Sequence, residues 1–188
     1  MWRITRAKYA HPAIRAYDGH GAARSGQRWN EKGVRAAYAS ATLSLAALEY
    51  LGTVGEFNDA PNDLVAVPAD VRDDSIESVD VATVPDWSAT PPAASVRFGT
   101  TWIVQRRSVA LRVPSVMIAC DVNYVLNPKH PDFSSAVFIR VAEPFTFDQR
   151  LIRRSYISGT GSPSIFERAN TYGTEPRASS SSLKRRSL

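Results

Sequence analysis

One cysteine, Cys120, and three histidines are all that this 188-residue chain offers to disulfides and soft metals. A single thiol excludes an internal disulfide framework and argues against a cysteine-built zinc cluster. His11, His20 and His130 lack the short spacing of a metal site, so metal-free chemistry is expected. No apolar run comes near the roughly 20 residues of a membrane-spanning helix. The opening Met1-Trp2-Arg3 lacks the pattern of a secretory leader, and a cytoplasmic protein is expected. Gly19-His-Gly-Ala has neither the Gly-Lys-Ser/Thr of a phosphate loop nor the dinucleotide-fold glycine spacing. Ser115 has no Gly-x-Ser-x-Gly around it, which excludes a hydrolase nucleophile elbow.

The net charge of +5 also marks an absence once it is divided along the chain. Residues 151–188 carry seven basic and two acidic side chains, whereas residues 1–150 carry 16 of each. A pI near 9.6 invites a nucleic-acid or interaction-module reading, but the balanced part of the chain gives it no support. The tail alone offers only salt-sensitive, non-specific attraction.

What is present is an ordinary globular composition, 44% apolar and 22% charged. Residues 1–150 are expected to form one domain, and residues 151–188, with nine serines and little apolar periodicity, a disordered tail. Alternation predicts strands at Trp2–Thr5 and Val34–Ala39, with a turn of helix near Pro12. Gly19, Gly21 and Gly26 predict a loop. Ser40-Ala41-Thr42 predicts a cap for a helix running from Leu43 to a stop at Gly52. Strands are expected at Asp63–Val67 and Ser75–Val79 around a Pro68 turn, then a surface loop over 84–94 holding Trp87. A short helix is expected over Gly99–Arg106, started by Thr100 and Thr101. A strand follows at Val109–Val113, extended through Val116–Ala119. The chain closes with a turn at Asn127–Asp132 and strands at Ala136–Val141 and Pro144–Asp148. The fold class is α+β, mostly short antiparallel strands with two or three helices.

The segment from Gly19 to Glu49 concentrates chemistry. A glycine-punctuated loop delivers Arg28 beside Trp29, a strand ends at Tyr38, and an apolar helix carries one acid, Glu49. A permanently charged guanidinium suits a phosphate, and an acid in apolar surroundings suits a developing cation. Together they point to a dinucleotide whose glycosidic bond is broken.

These residues resemble the RES domain, the toxin half of a class of bacterial type II toxin–antitoxin pairs. Gly99-Thr-Thr-Trp102 is similar to the family's Gly-x-x-Trp helix, and Leu111-Arg-Val-Pro-Ser115 to its Leu-x-Val-Pro-Ser strand end. Asn123-Tyr-Val-Leu-Asn-Pro-Lys-His-Pro-Asp-Phe133 is similar to the long turn that follows. The family is named for an Arg, a Glu and a Ser, here Arg28, Glu49 and Ser115. The resemblance implies an ADP-ribosyltransferase-like fold, NAD as substrate, and an Xre-type antitoxin partner with a helix-turn-helix region. It implies either destruction of NAD, by hydrolysis or phosphorolysis, or transfer of ADP-ribose to a protein.

On that reading Arg28 clamps the pyrophosphate, with Arg6 or Arg3 as a second contact and Gly26 letting backbone amides approach. Glu49 holds the ribose hydroxyls and the oxocarbenium-like centre. Tyr38 stacks on nicotinamide, and Ser115 orients the ribose or the Glu49 carboxylate. Each has a plainer alternative. Arg28 is then a surface arginine stacked on Trp29, Glu49 a helix-boundary acid, Tyr38 a core aromatic and Ser115 an ordinary serine. Trp29 is expected among the cofactor-binding residues, with core anchoring as its plainer alternative, as for Trp102; His130 suits holding its turn, and Arg106-Arg107 suits an exposed helix end. One departure stands out: Gln27 occupies the second glycine of the usual Gly-Gly-Arg-Trp-Asn. If that position requires positive φ, Gln27 carries strain.

Overall fold

Trp2-Arg3-Ile4-Thr5-Arg6 buries Ile4 between partly exposed neighbours, and this alternation makes the segment a strand. In the computed structural model, which describes residues 1–54 and 61–152, it is β1 (Trp2–Arg6). There follow α1 (His20–Ser25), β2 (Ala37–Ser40), α2 (Leu43–Val54), β3 (Leu64–Val71) and β4 (Ile76–Ser78). The chain continues through α3 (Ala93–Gln105), β5 (Ala110–Pro114), β6 (Val122–Leu126) and α4 (Phe133–Ala136). It ends in β7 (Val137–Ile139), β8 (Glu143–Pro144) and α5 (Gln149–Ile152). The tail expected at 151–188 lies, from residue 153 on, outside the described residues.

The fold is α+β, as expected. The strands form one sheet in the order β4-β5-β6-β2-β1-β3-β7, with β8 also paired to β3. Only β4 and β5 run parallel; the remaining pairs are antiparallel. Neighbouring residues bury into different clusters: Ala110 and Leu126 pack with Tyr17, Val67 and Phe133, while Leu111 and Val125 pack with Trp29, Trp102 and Val113. The central strands are therefore covered on both faces, and their sequences read as apolar runs.

One junction in this sheet shapes the site. β1 meets β2 at a single pair, Trp2↔Ser40, whereas β1 pairs β3 over five residues. Beyond Trp2 the two strands diverge, and the Arg3 guanidinium bridges the gap, Nη1 donating to the Tyr38 carbonyl at 2.7 Å. α2 packs over this region through Ala46, against Ile4, Leu64 and Ala66. Its cap is Thr42, whose Oγ1 accepts from the Leu45 amide at 3.1 Å.

Several expectations change. The glycine loop of 19–26 is mostly helix, because only its Gly19 and Gly26 take positive φ (73° and 75°) and bracket α1. α2 passes through Gly52 to Val54. Pro68 makes no turn. Its carbonyl accepts from Arg140 N, and the reciprocal bond that proline cannot donate falls just past the end of β7, where the ladder stops. α3 begins at Ala93, about two turns before the threonines. Val116–Ala119 does not extend β5; it turns, leaving Val116, Met117 and Ile118 exposed. β6 was not foreseen at all, and the α-helices number five among the described residues, two of them only four residues long.

Candidate active site

Arg28, Tyr38 and Glu49 line one cavity of about 720 Å³, with Gly26, Trp29 and Asn123. A second cavity of about 320 Å³ adjoins it and shares Gln27, Tyr38, Glu49 and Asn123. The result is a two-lobed cleft with Glu49 at its waist, Arg28 in one lobe and Arg3 in the other.

Glu49 lies four residues after the buried Leu45 and three after the buried Ala46, which turns it to the covered side of α2. It is partly buried, and its Oε1 accepts two hydrogen bonds. Ser115 Oγ donates at 2.9 Å and Asn123 Nδ2 at 2.6 Å. Ser115 is itself fixed, because its Oγ accepts from the Met117 and Ile118 amides at 3.1 and 3.2 Å. The turn after β5, which ends the strand expected to continue, is what buries the Ser115 hydroxyl.

Arg28 is partly buried and its Nη1 donates to the Trp87 and Ala89 carbonyls at 3.1 and 3.0 Å. Among the described residues no carboxylate pairs with it. The loop over 84–94 thus anchors the guanidinium, and Trp87 stacks on Trp29 with ring centres 6.3 Å apart. Trp29, 2% exposed, is a core anchor as well as a cleft wall. It sits against α3 at Gly99, where a Cβ would stand 2.1 Å from the Trp29 carbonyl oxygen. That contact is why the Gly-x-x-Trp segment begins with glycine.

Tyr38 OH donates to Asn30 Oδ1 at 2.7 Å and accepts from the Trp29 amide at 3.1 Å. Burial raises the Tyr38 phenol well above its ordinary value. Asn30 in turn donates to the carbonyls of Ala22, Glu31 and Val34, tying the Arg28 loop to β2. Gln27 is absent from the residues with positive φ, so the strain considered for it does not arise.

Of the two arginines on β1, Arg6 lines neither lobe. It pairs with Asp63 at 2.9 Å and holds that carboxyl below its ordinary range. Arg3 lines the second lobe. Its Nε is a buried donor with no partner among the described residues, and desolvation lowers its pKa. A buried guanidinium nitrogen without an acceptor is costly. Sequence reasoning missed Asn123, Asn30 and Ser40. For Ser40 and Asn123 the signal was strand register, since they face each other across β2 and β6.

A sequence model of the RES domain matches residues 1–148. The chain belongs to the RES domain family. Toxin Res of Photorhabdus laumondii subsp. laumondii is 32% identical over 155 residues, which cover 81% of this chain and 97% of that protein. The Prs ADP-ribosylating toxin of a Sphingobium species is 34% identical over 162 residues, covering 82% and 98%. Toxin Res of Yersinia enterocolitica is 30% identical over 153 residues, covering 80% and 98%. This RES domain chain therefore has toxins as relatives along nearly their full length, which supports a toxin role. Among the described residues no helix is long and apolar enough to cross a membrane.

Proposed function

We propose that this RES domain protein is a toxin enzyme that consumes NAD by breaking the bond between nicotinamide and ribose. The observation that carries the proposal is the held carboxylate of Glu49 at the waist of a cleft with a guanidinium in each lobe. A dinucleotide presents phosphates for Arg28 and Arg3 and a cationic ring on its ribose for the carboxylate to face. The glycosidic C–N bond breaks with its electron pair passing to the ring nitrogen. Nicotinamide leaves neutral, and no proton donor is required. The ribose carbon is left oxocarbenium-like, and Glu49 stabilises it while holding the ribose hydroxyls. Tyr38 offers its ring to the nicotinamide and Ser115 steadies the acid.

Water or phosphate then adds to the ribose carbon. A second reading, transfer of ADP-ribose to a protein side chain, is favoured by the name of the Sphingobium relative. A toxin of either kind calls for a partner that holds it inactive, and an Xre-type antitoxin whose inserted carboxylate pairs with Arg28 would block the phosphate lobe.

Incubating the purified chain with NAD labelled in its adenine half separates the readings. Free nicotinamide with label remaining in solution supports destruction of NAD, and label on protein supports transfer. If NAD stays intact and no protein is labelled, both fail.

A further inference from the structure

The hydrogen bonds around Glu49 run toward it from two sides. Ser40 Oγ donates to Asn123 Oδ1 at 2.7 Å, and Asn123 Nδ2 donates to Glu49 Oε1 at 2.6 Å. From the other side Ser115 Oγ donates to the same Oε1 at 2.9 Å. The carboxylate settles which end of the Asn123 amide faces it, because only the nitrogen end can donate there, and the Ser40 hydroxyl, able to donate or accept, then donates to Oδ1. Both protein donors reach Oε1, so Oε2 is the oxygen available to a ligand in the cleft.

We infer that Asn123 is a positioning residue for Glu49: with Ser115 it clamps Oε1 and aims Oε2 at the ribose. The clamp joins three elements that meet only in the folded sheet, namely α2, β6 and the turn after β5. A carboxylate on a helix otherwise turns freely about its terminal bonds, and two donors on one oxygen fix both its position and its plane. Asn123 touches the cleft but acts through Glu49. This inference rests on the reading of Glu49 as the acid of the toxin's chemistry.

The test compares Asn123→Ala, Asn123→Asp, Glu49→Gln and the double variant Asn123→Ala/Glu49→Gln, each as the full chain. Growth is followed after induction, and NAD turnover is measured on purified protein. Asn123→Ala should lower kcat about 10²-fold with KM for NAD within about threefold. Asn123→Asp keeps the shape and the Ser40 bond but replaces the donor with an acceptor, so it should lose at least as much. A packing role would survive that change. The double variant should be no worse than Glu49→Gln alone, because a residue acting through Glu49 has nothing left to act on.

Should Asn123→Ala fold poorly, Ser40→Ala frees the amide without touching Glu49 and should lower kcat about threefold. Full activity of Asn123→Asp, or a double variant with multiplied losses, overturns the inference. Failure of the underlying reading looks different: Glu49→Gln then arrests growth as wild type does, and the inference falls with it. Growth arrest without NAD loss, if abolished by Glu49→Gln, overturns only the substrate. The growth data for the Asn123 variants still decide the clamp.

Discussion

Ser115 and Glu49 stand 66 residues apart in the chain, yet Ser115 Oγ donates to Glu49 Oε1 across 2.9 Å. The serine has no freedom to do otherwise. Two backbone amides occupy its lone pairs, so its single hydrogen is committed to the carboxylate. Glu49 and Ser115 thus act as one hydrogen-bonded group. Glu49→Gln keeps the shape and removes the charge, and it should lower the rate of nicotinamide release about 10²–10³-fold. Ser115→Ala removes one of two donors and should cost about tenfold, the worth of one hydrogen bond to a charged group. Rates at saturating NAD check both. Equal losses would mean that the serine touches substrate rather than merely holding the acid.

The two arginines of β1 give an opposed pair of expectations. Arg3 lines the second lobe and its buried Nε has no partner among the described residues, while Arg6 is occupied by Asp63 and its side chain is 43% exposed. Arg3→Gln should raise KM for NAD about tenfold and reduce the thermal shift that NAD produces. Arg6→Gln should change KM less than about twofold. Titrating both variants with NAD decides between them, and the reverse ranking would move the phosphate contact to the wrong face of the strand.

That pair also shows where the sequence stops speaking. Positions 3 and 6 are separated by an odd number of residues, so they project to opposite faces of a strand. Nothing in the local sequence says which face meets the cleft. Arg28 and Glu49 were legible because glycine punctuation and the helical face of Leu45 and Ala46 are local signals. Asn123 was not, because its role depends on the register of β6 against β2, a pairing across 83 residues. β6 itself hid behind Asn127-Pro128, which drew the whole segment into a turn. Pro68 misled for a related reason: its missing amide is harmless only because the strand beside it is interrupted between β7 and β8.

Gly99 offers a test of how the cleft wall is built. A Cβ there would meet the Trp29 carbonyl oxygen at 2.1 Å and its carbonyl carbon at 2.8 Å, so backbone rather than a flexible tip must move. Gly99→Ala should destabilise the domain by about 3 kcal/mol, on the order of 10 °C in Tm at this size. Because Trp29 precedes Asn30 and follows Arg28, the displacement should also weaken NAD binding. Differential scanning calorimetry checks the first effect. An unchanged Tm would mean that α3 sits further from the Arg28 loop than described.

The buried tyrosines set an alkaline limit on the fold. Burial raises the Tyr17 phenol far above its usual value of 10.0, and Tyr38 is raised by the same cause. Tyr17 is fully buried and donates to the Val67 carbonyl at 2.7 Å. A raised native pKa means that the folded state keeps its proton where the unfolded chain would release it. Stability from these groups is therefore complete below about pH 10 and is lost as the pH climbs through the raised native values. Urea midpoints should be flat from pH 7 to 9 and fall steadily above 10. Tyr17→Phe should lower the midpoint at pH 8, through the lost hydrogen bond, while making the alkaline fall shallower. A slope unchanged in Tyr17→Phe would assign the alkaline loss to other groups and leave Tyr17 as packing alone.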